Sequence, residues 1–92
     1  MNKKILHIYF SGRVQGVGFR YTAEYLALSY GLTGWVKNLD DGRVEAVCVG
    51  GEKKIKSFLE GLRSELGRYI RNEEAHWAEA TGEFQGFKIR FH

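Results

Sequence analysis

Residues 11–20 read SGRVQGVGFR, and they lie where one sequence periodicity gives way to another. Before them, Ile5 to Ser11 alternates Leu6, Ile8 and Phe10 with Ile5, His7 and Tyr9, a strand pattern that is apolar on both faces. After them, Ala23, Leu26, Ala27 and Tyr30 recur at helical spacing, and Gly31 stands where a helix-terminating glycine is expected. The stretch is therefore the turn of a β-α unit. Three of its residues, Gly12, Gly16 and Gly18, are glycines, and Arg13 and Arg20 are basic. Glycine lets successive backbone N–H groups converge on one concavity, and a helix start adds unpaired donors and a positive dipole end. That combination describes a cradle for an anion.

Working outward, a second strand is expected from Gly34 to Asn38 and a third from Arg43 to Val49. The turn Leu39-Asp40-Asp41-Gly42 joins them as a hairpin. Gly50-Gly51 ends that strand. Ile55, Phe58, Leu59, Leu62 and Leu66 then form a helical stripe that stops before Gly67. Gly61 inside this helix costs about 1 kcal/mol relative to alanine, which the stripe outweighs. From Arg68 to Ala80 the pattern is weak, because Asn72, Glu73 and Glu74 interrupt Tyr69-Ile70 and Ala75-His76-Trp77. Gly86 to Phe91 alternates again, as a short final strand. The order β-α-β-β-α-β, with an extra strand near the end, predicts an α+β ferredoxin-like sandwich. Its expected form is an antiparallel sheet of four to five strands with two helices on one face. No repeat or linker interrupts residues 1–92, which read as a single domain.

Composition narrows the function classes. Apolar residues make up 43% of the chain and charged residues 27%, which is globular rather than disordered. No apolar run approaches the roughly 20 residues of a membrane span, and no signal peptide is apparent. The single cysteine, Cys48, allows no internal disulfide and fits a reducing cytoplasm. A net charge of +3 favours an anionic ligand, but the basic residues are scattered, so no nucleic-acid footprint emerges. An RNA-recognition domain shares the expected architecture, yet it stacks bases on aromatics of its third strand. Here that strand is RVEAVCV. His7, His76 and His92 fall in different elements, which argues against a metal site, and nothing calls for a cofactor. Nothing in the sequence requires more than a monomer.

Two residues stand out as candidates for chemistry. Arg20 opens a helix, where a cation opposes the dipole unless an anion is bound there. A glycine-rich turn alone would explain the glycines, but not this arginine. The spacing matches neither the dinucleotide-binding fingerprint nor the P-loop. Asn38 ends the second strand, and on its own it reads as a turn-stabilising residue. In a ferredoxin-like sheet, however, the end of the second strand approaches the loop after the first. An uncharged amide there can hold a water without placing negative charge beside a phosphate. Asp40 and Asp41 read as turn residues, and Cys48 reads as a small core residue.

Taken together, GRVQGVGFR, GLTGWVKNLDDGRVE and the closing GFKIRF closely resemble the acylphosphatase family. The resemblance implies a small ferredoxin-like enzyme. Such enzymes hydrolyse the carboxyl-phosphate bond of acyl phosphates to a carboxylate and inorganic phosphate, without metal or cofactor. It implies that Arg20 binds the phosphate, that Asn38 positions the attacking water, and that Gln15, Gly16, Val17, Gly18 and Phe19 belong to the phosphate-binding loop with Arg20. Similar domains also occur inside larger carbamoyl-transfer proteins. The retention of both Arg20 and Asn38 favours a hydrolase in its own right. Between Gly67 and Ala80 the chain departs from the family, where many members have a Gly-Pro turn and an alternating valine strand. No residue with an implied role falls there.

Overall fold

The computed structural model describes residues 2–91. Its elements are β1 (Lys4–Gly12), α1 (Phe19–Ser29), β2 (Thr33–Asn38), β3 (Val44–Gly50), α2 (Glu52–Leu66), a 3-10 turn (Gly67–Tyr69), β4 (Ile70–Glu79) and β5 (Phe87–Arg90). The five strands form one sheet in the order β4-β1-β3-β2-β5. Two split β-α-β units interleave: β1 and β2 flank β3, and β3 and β4 flank β1. The predicted ferredoxin-like α+β architecture is what the chain adopts.

The expectation of a wholly antiparallel sheet holds for four strands only. β5 runs parallel to β2, with Gly34 opposite Phe87 and Lys37 opposite Arg90. The reason lies in residues 80–86. After β4 the chain crosses the end of the sheet and re-enters beside the start of β2. Hydrogen bonds from Ala80 N–H to the Lys3 carbonyl (3.0 Å), from Phe84 N–H to Thr33 Oγ1 (3.3 Å) and from Gly34 N–H to the Gly86 carbonyl (3.0 Å) pin this crossing.

β4 is the segment the sequence left least legible, yet it pairs with β1 along its length. It is an edge strand and exposed over most of its residues. Strand propensity matters less there than blocking further strand addition, which Asn72, Glu73 and Glu74 do. Glu73 is also clamped by Arg63 of α2, whose Nε and Nη2 donate at 3.0 and 2.7 Å. The same pairing corrects the reading of the histidines. His7 and His76, far apart in sequence, are direct cross-strand partners. Each ring binds a carboxylate, Glu45 at 2.6 Å and Glu74 at 2.9 Å. Among the described residues no three metal-ligating side chains converge, and His92 lies outside them.

The core lies between the helices and one sheet face. Leu6, Ile8 and Phe10 of β1 and Val44, Ala46 and Cys48 of β3 meet Ala23 and Ala27 of α1 and Ile55, Phe58 and Leu62 of α2. Fully burying side chains of this size is worth about 1.5–3 kcal/mol each, which dwarfs the cost of Gly61. That glycine has a packing role besides. A β-carbon there would sit 3.1 Å from Leu26 Cδ1, so its absence lets the two helices approach. Burial pushes the Cys48 thiol up to about 12, so it remains a neutral core group rather than a nucleophile.

Gly34 is the most constrained point of the central sheet. Its φ is +138°, and a β-carbon there would collide with the Val47 carbonyl oxygen of β3. Backbone strain and overpacking therefore act together. Gly34→Ala is expected to destabilise the protein by about 3 kcal/mol or more, read from urea unfolding. A midpoint within error of the parent would contradict the described strand pairing.

Candidate active site

Phe19 fixes the floor of the site. It is buried at the first position of α1, its ring centroid 4.9 Å from that of Phe10. This anchors the helix start beneath the loop that precedes it. Val14, also buried, holds the other end of that loop. Between them, Gly16 and Gly18 take left-handed conformations, with φ of 77° and 81°. Residues with side chains rarely adopt these angles, and they turn successive N–H groups toward one side. Gly18 is the N-cap of α1 and supplies no side-chain cap, and the first turn carries no acidic residue. The helix start thus keeps its unpaired donors and its positive end.

Arg20 adds a fixed cation beside these donors. Among the described residues it has no carboxylate partner within ion-pair distance. Its guanidinium carbon instead lies 5.0 Å from the ring centroid of Phe91, which follows β5. The sequence offered no reason to connect Phe91 with Arg20, because the link depends on β5 docking beside β2.

Asn38 reaches the same place from the end of β2. The hairpin that follows is held by Leu39 N–H to the Arg43 carbonyl (2.8 Å) and Gly42 N–H to the Leu39 carbonyl (3.2 Å). Asp41 accepts hydrogen bonds from the Arg43 backbone N–H and guanidinium, which hold its carboxyl below the usual carboxylate range. It is a turn residue, as its sequence context suggests. The Oδ1 atom of Asn38 is buried and has no hydrogen-bond partner among the described residues. A buried acceptor left in this state costs about 1–3 kcal/mol, which a fold tolerates where something else supplies the donor.

The loop and the hairpin are joined by Gln15. Its Nε2 donates to the carbonyls of Leu39 (2.8 Å) and Arg43 (2.9 Å), on either side of the turn. Gly16, Gly18, Phe19, Arg20 and Asn38 line one cavity of about 190 Å³, with Val14 and Tyr21 completing the wall. Five of the seven residues expected at the site therefore meet there. Gln15 and Val17 do not line the cavity: Gln15 braces the loop from behind, and Val17 packs against the core. The side chains of these two residues do structural work, while their backbones remain part of the loop. Tyr21, unremarkable in the sequence, is 71% exposed and lines the cavity.

The fold and this cavity define a small α+β protein with a glycine-lined cavity at a strand-to-helix turn. Comparison with known proteins is consistent across the chain. The acylphosphatase family model matches residues 6–89. An acylphosphatase from Caldanaerobacter subterraneus subsp. tengcongensis is 42% identical over 89 residues, covering 95% of this chain and 98% of that protein. The crystal structure of acylphosphatase from Bacillus subtilis superposes with a TM-score of 0.86 at 34% identity, over 95% of this chain and 98% of that one. HypF from T. kodakarensis matches 95% of this chain at 34% identity and a TM-score of 0.81, but only 12% of its own length. The chain belongs to the acylphosphatase family. It is an enzyme of acyl phosphate hydrolysis, and its substrate class is a small-molecule acyl phosphate.

Proposed function

We propose that this enzyme cleaves the carboxyl-phosphate bond by metal-independent, in-line attack of a water held by Asn38 on a phosphoryl group held by Arg20 and the loop amides. The observation that carries the reading is the shared cavity, which Arg20, the left-handed Gly16 and Gly18, and Asn38 line together. Backbone N–H groups between Gln15 and Arg20 donate to the phosphoryl oxygens. The guanidinium of Arg20 adds a bidentate, charge-assisted contact. Asn38 Oδ1 accepts a hydrogen bond from the water and aims its lone pair at phosphorus.

The reaction asks for little more. The water oxygen–phosphorus bond forms as the phosphorus–carboxyl oxygen bond breaks, and the carboxylate departs with the electron pair. A carboxylate is a weak base, so no general acid is required, and a phosphoryl oxygen takes the proton from water. Catalysis then rests on positioning and charge stabilisation, which this site supplies from the chain's own donors. The test is hydrolysis of benzoyl phosphate with and without a chelator. Undiminished turnover is expected, and loss of activity restored by a divalent cation would overturn the metal-free reading.

Gln15 enters this reading as a brace. Removing its two hydrogen bonds frees the loop relative to the hairpin that carries Asn38. Each such bond contributes about 1 kcal/mol, so Gln15→Ala is expected to lower kcat/KM about tenfold in steady-state assays. An unchanged value would show that the loop holds its place without the brace.

The chain is further read as one domain over residues 1–92, acting as a monomer in the cytoplasm. The continuous core and the buried, unpaired Cys48 support this. No helix among the described residues is long and apolar enough to cross a membrane. A molecular mass near 10.5 kDa in sedimentation equilibrium is the expected result.

A further inference from the structure

With its phosphoryl group held at the loop, a bound acyl phosphate extends its acyl group toward the rim of the cavity of about 190 Å³. One wall residue, Tyr21, points to where. It also lines a second groove, of about 320 Å³, formed with Thr22, Tyr25 and Leu26 of α1 and Glu65 of α2. Tyr21 is the residue the two linings share. Tyr21 and Tyr25 are 71% and 70% exposed, one helical turn apart, and neither contributes to the core. Exposed aromatic rings beside a reactive site present apolar area that a ligand can cover.

We propose that the groove along α1 is the acyl-group subsite, and that it selects acyl phosphates whose acyl group is apolar and uncharged. The proposal rests on the cradle being the phosphoryl site. Its chemistry follows from the lining. Tyr21, Tyr25 and Leu26 supply apolar surface next to the leaving carboxylate, and Thr22 is small enough to leave the groove open. Among the described residues Glu65 is the only carboxylate lining the groove, and no lysine or arginine lines it. An acyl group bearing its own carboxylate therefore meets repulsion there without a compensating cation.

The test compares kcat/KM for benzoyl phosphate with that for acetyl phosphate, so each variant acts as its own control. Tyr21→Ala is expected to lower the benzoyl-to-acetyl ratio about tenfold and Tyr25→Ala about threefold, whereas Tyr21→Phe keeps the parent ratio. Glu65→Gln is expected to raise kcat/KM for an acyl phosphate carrying a second carboxylate relative to benzoyl phosphate. Competitive inhibition by inorganic phosphate reads the cradle alone and separates its failure from that of the groove. Ratios unchanged in Tyr21→Ala and Tyr25→Ala would overturn the subsite even if the cradle reading stands. Activity retained in Arg20→Ala would overturn the cradle instead. Self-association that Tyr25→Ala abolishes would assign the patch to a second copy of the chain and also overturn the proposal.

Discussion

Replacing Arg20 by alanine is expected to lower kcat/KM for benzoyl phosphate by about 10³-fold, the upper end of what loss of one preorganised donor costs. Two effects combine. The guanidinium binds the phosphoryl group in the ground state, so KM rises. It also meets charge that redistributes over the phosphoryl oxygens during displacement, so kcat falls. Arg20→Lys keeps the charge but loses the planar fork, and about 10²-fold of the loss should remain. The fold should barely notice either change, because the side chain is only partly buried and its notable contact is the ring of Phe91. Stability within about 0.5 kcal/mol of the parent is expected. A cation at the positive end of α1 is in fact unfavourable without an anion, so phosphate should raise the unfolding temperature of the parent but not of Arg20→Ala. Near-parent activity in Arg20→Ala would remove the arginine from the mechanism.

How much of this was legible in the sequence depends on whether local or distant contacts set each feature. The alternation before Gly12 and the stripe from Ile55 to Leu66 are local patterns, and both became the expected elements. The loop between Val14 and Arg20 was legible for the same reason: its glycines and its arginine act on the backbone around them. β4 was not, because an edge strand is selected for charge as much as for strand propensity, and its partner β1 lies some seventy residues away. The parallel course of β5 was hidden too, since residues 80–86 carry no pattern that reveals which end of the sheet they cross. Gln15 was legible as a loop residue but not as a brace. Its side chain ties two loops that only the tertiary fold brings together. Tyr21 and Phe91 stayed illegible as site residues because an aromatic in a helix or after a strand reads as core, and only the packed structure leaves these two outside it.

Asn38 gives the sharper test of mechanism, because activity should fall there while stability holds. Asn38→Ala removes the acceptor that aims the water, and kcat is expected to fall about 10²-fold. The phosphate contacts come from Arg20 and the loop amides, so inhibition by inorganic phosphate should stay within about twofold of the parent. Meanwhile the substitution deletes a buried oxygen that has no partner among the described residues. No hydrogen bond among those residues is lost with it, so the variant should lie within about 0.5 kcal/mol of the parent in stability. A residue retained only to shape the turn predicts the reverse: lower stability and near-parent turnover, since the loss would fall on the hairpin rather than on the water. Asn38→Asp separates the two further. It keeps the shape and an acceptor, but it places a carboxylate beside the phosphoryl group, so activity should fall while the hairpin stays intact. Kinetics and urea unfolding on these two variants therefore distinguish a water-positioning amide from a turn residue that merely lines the cavity.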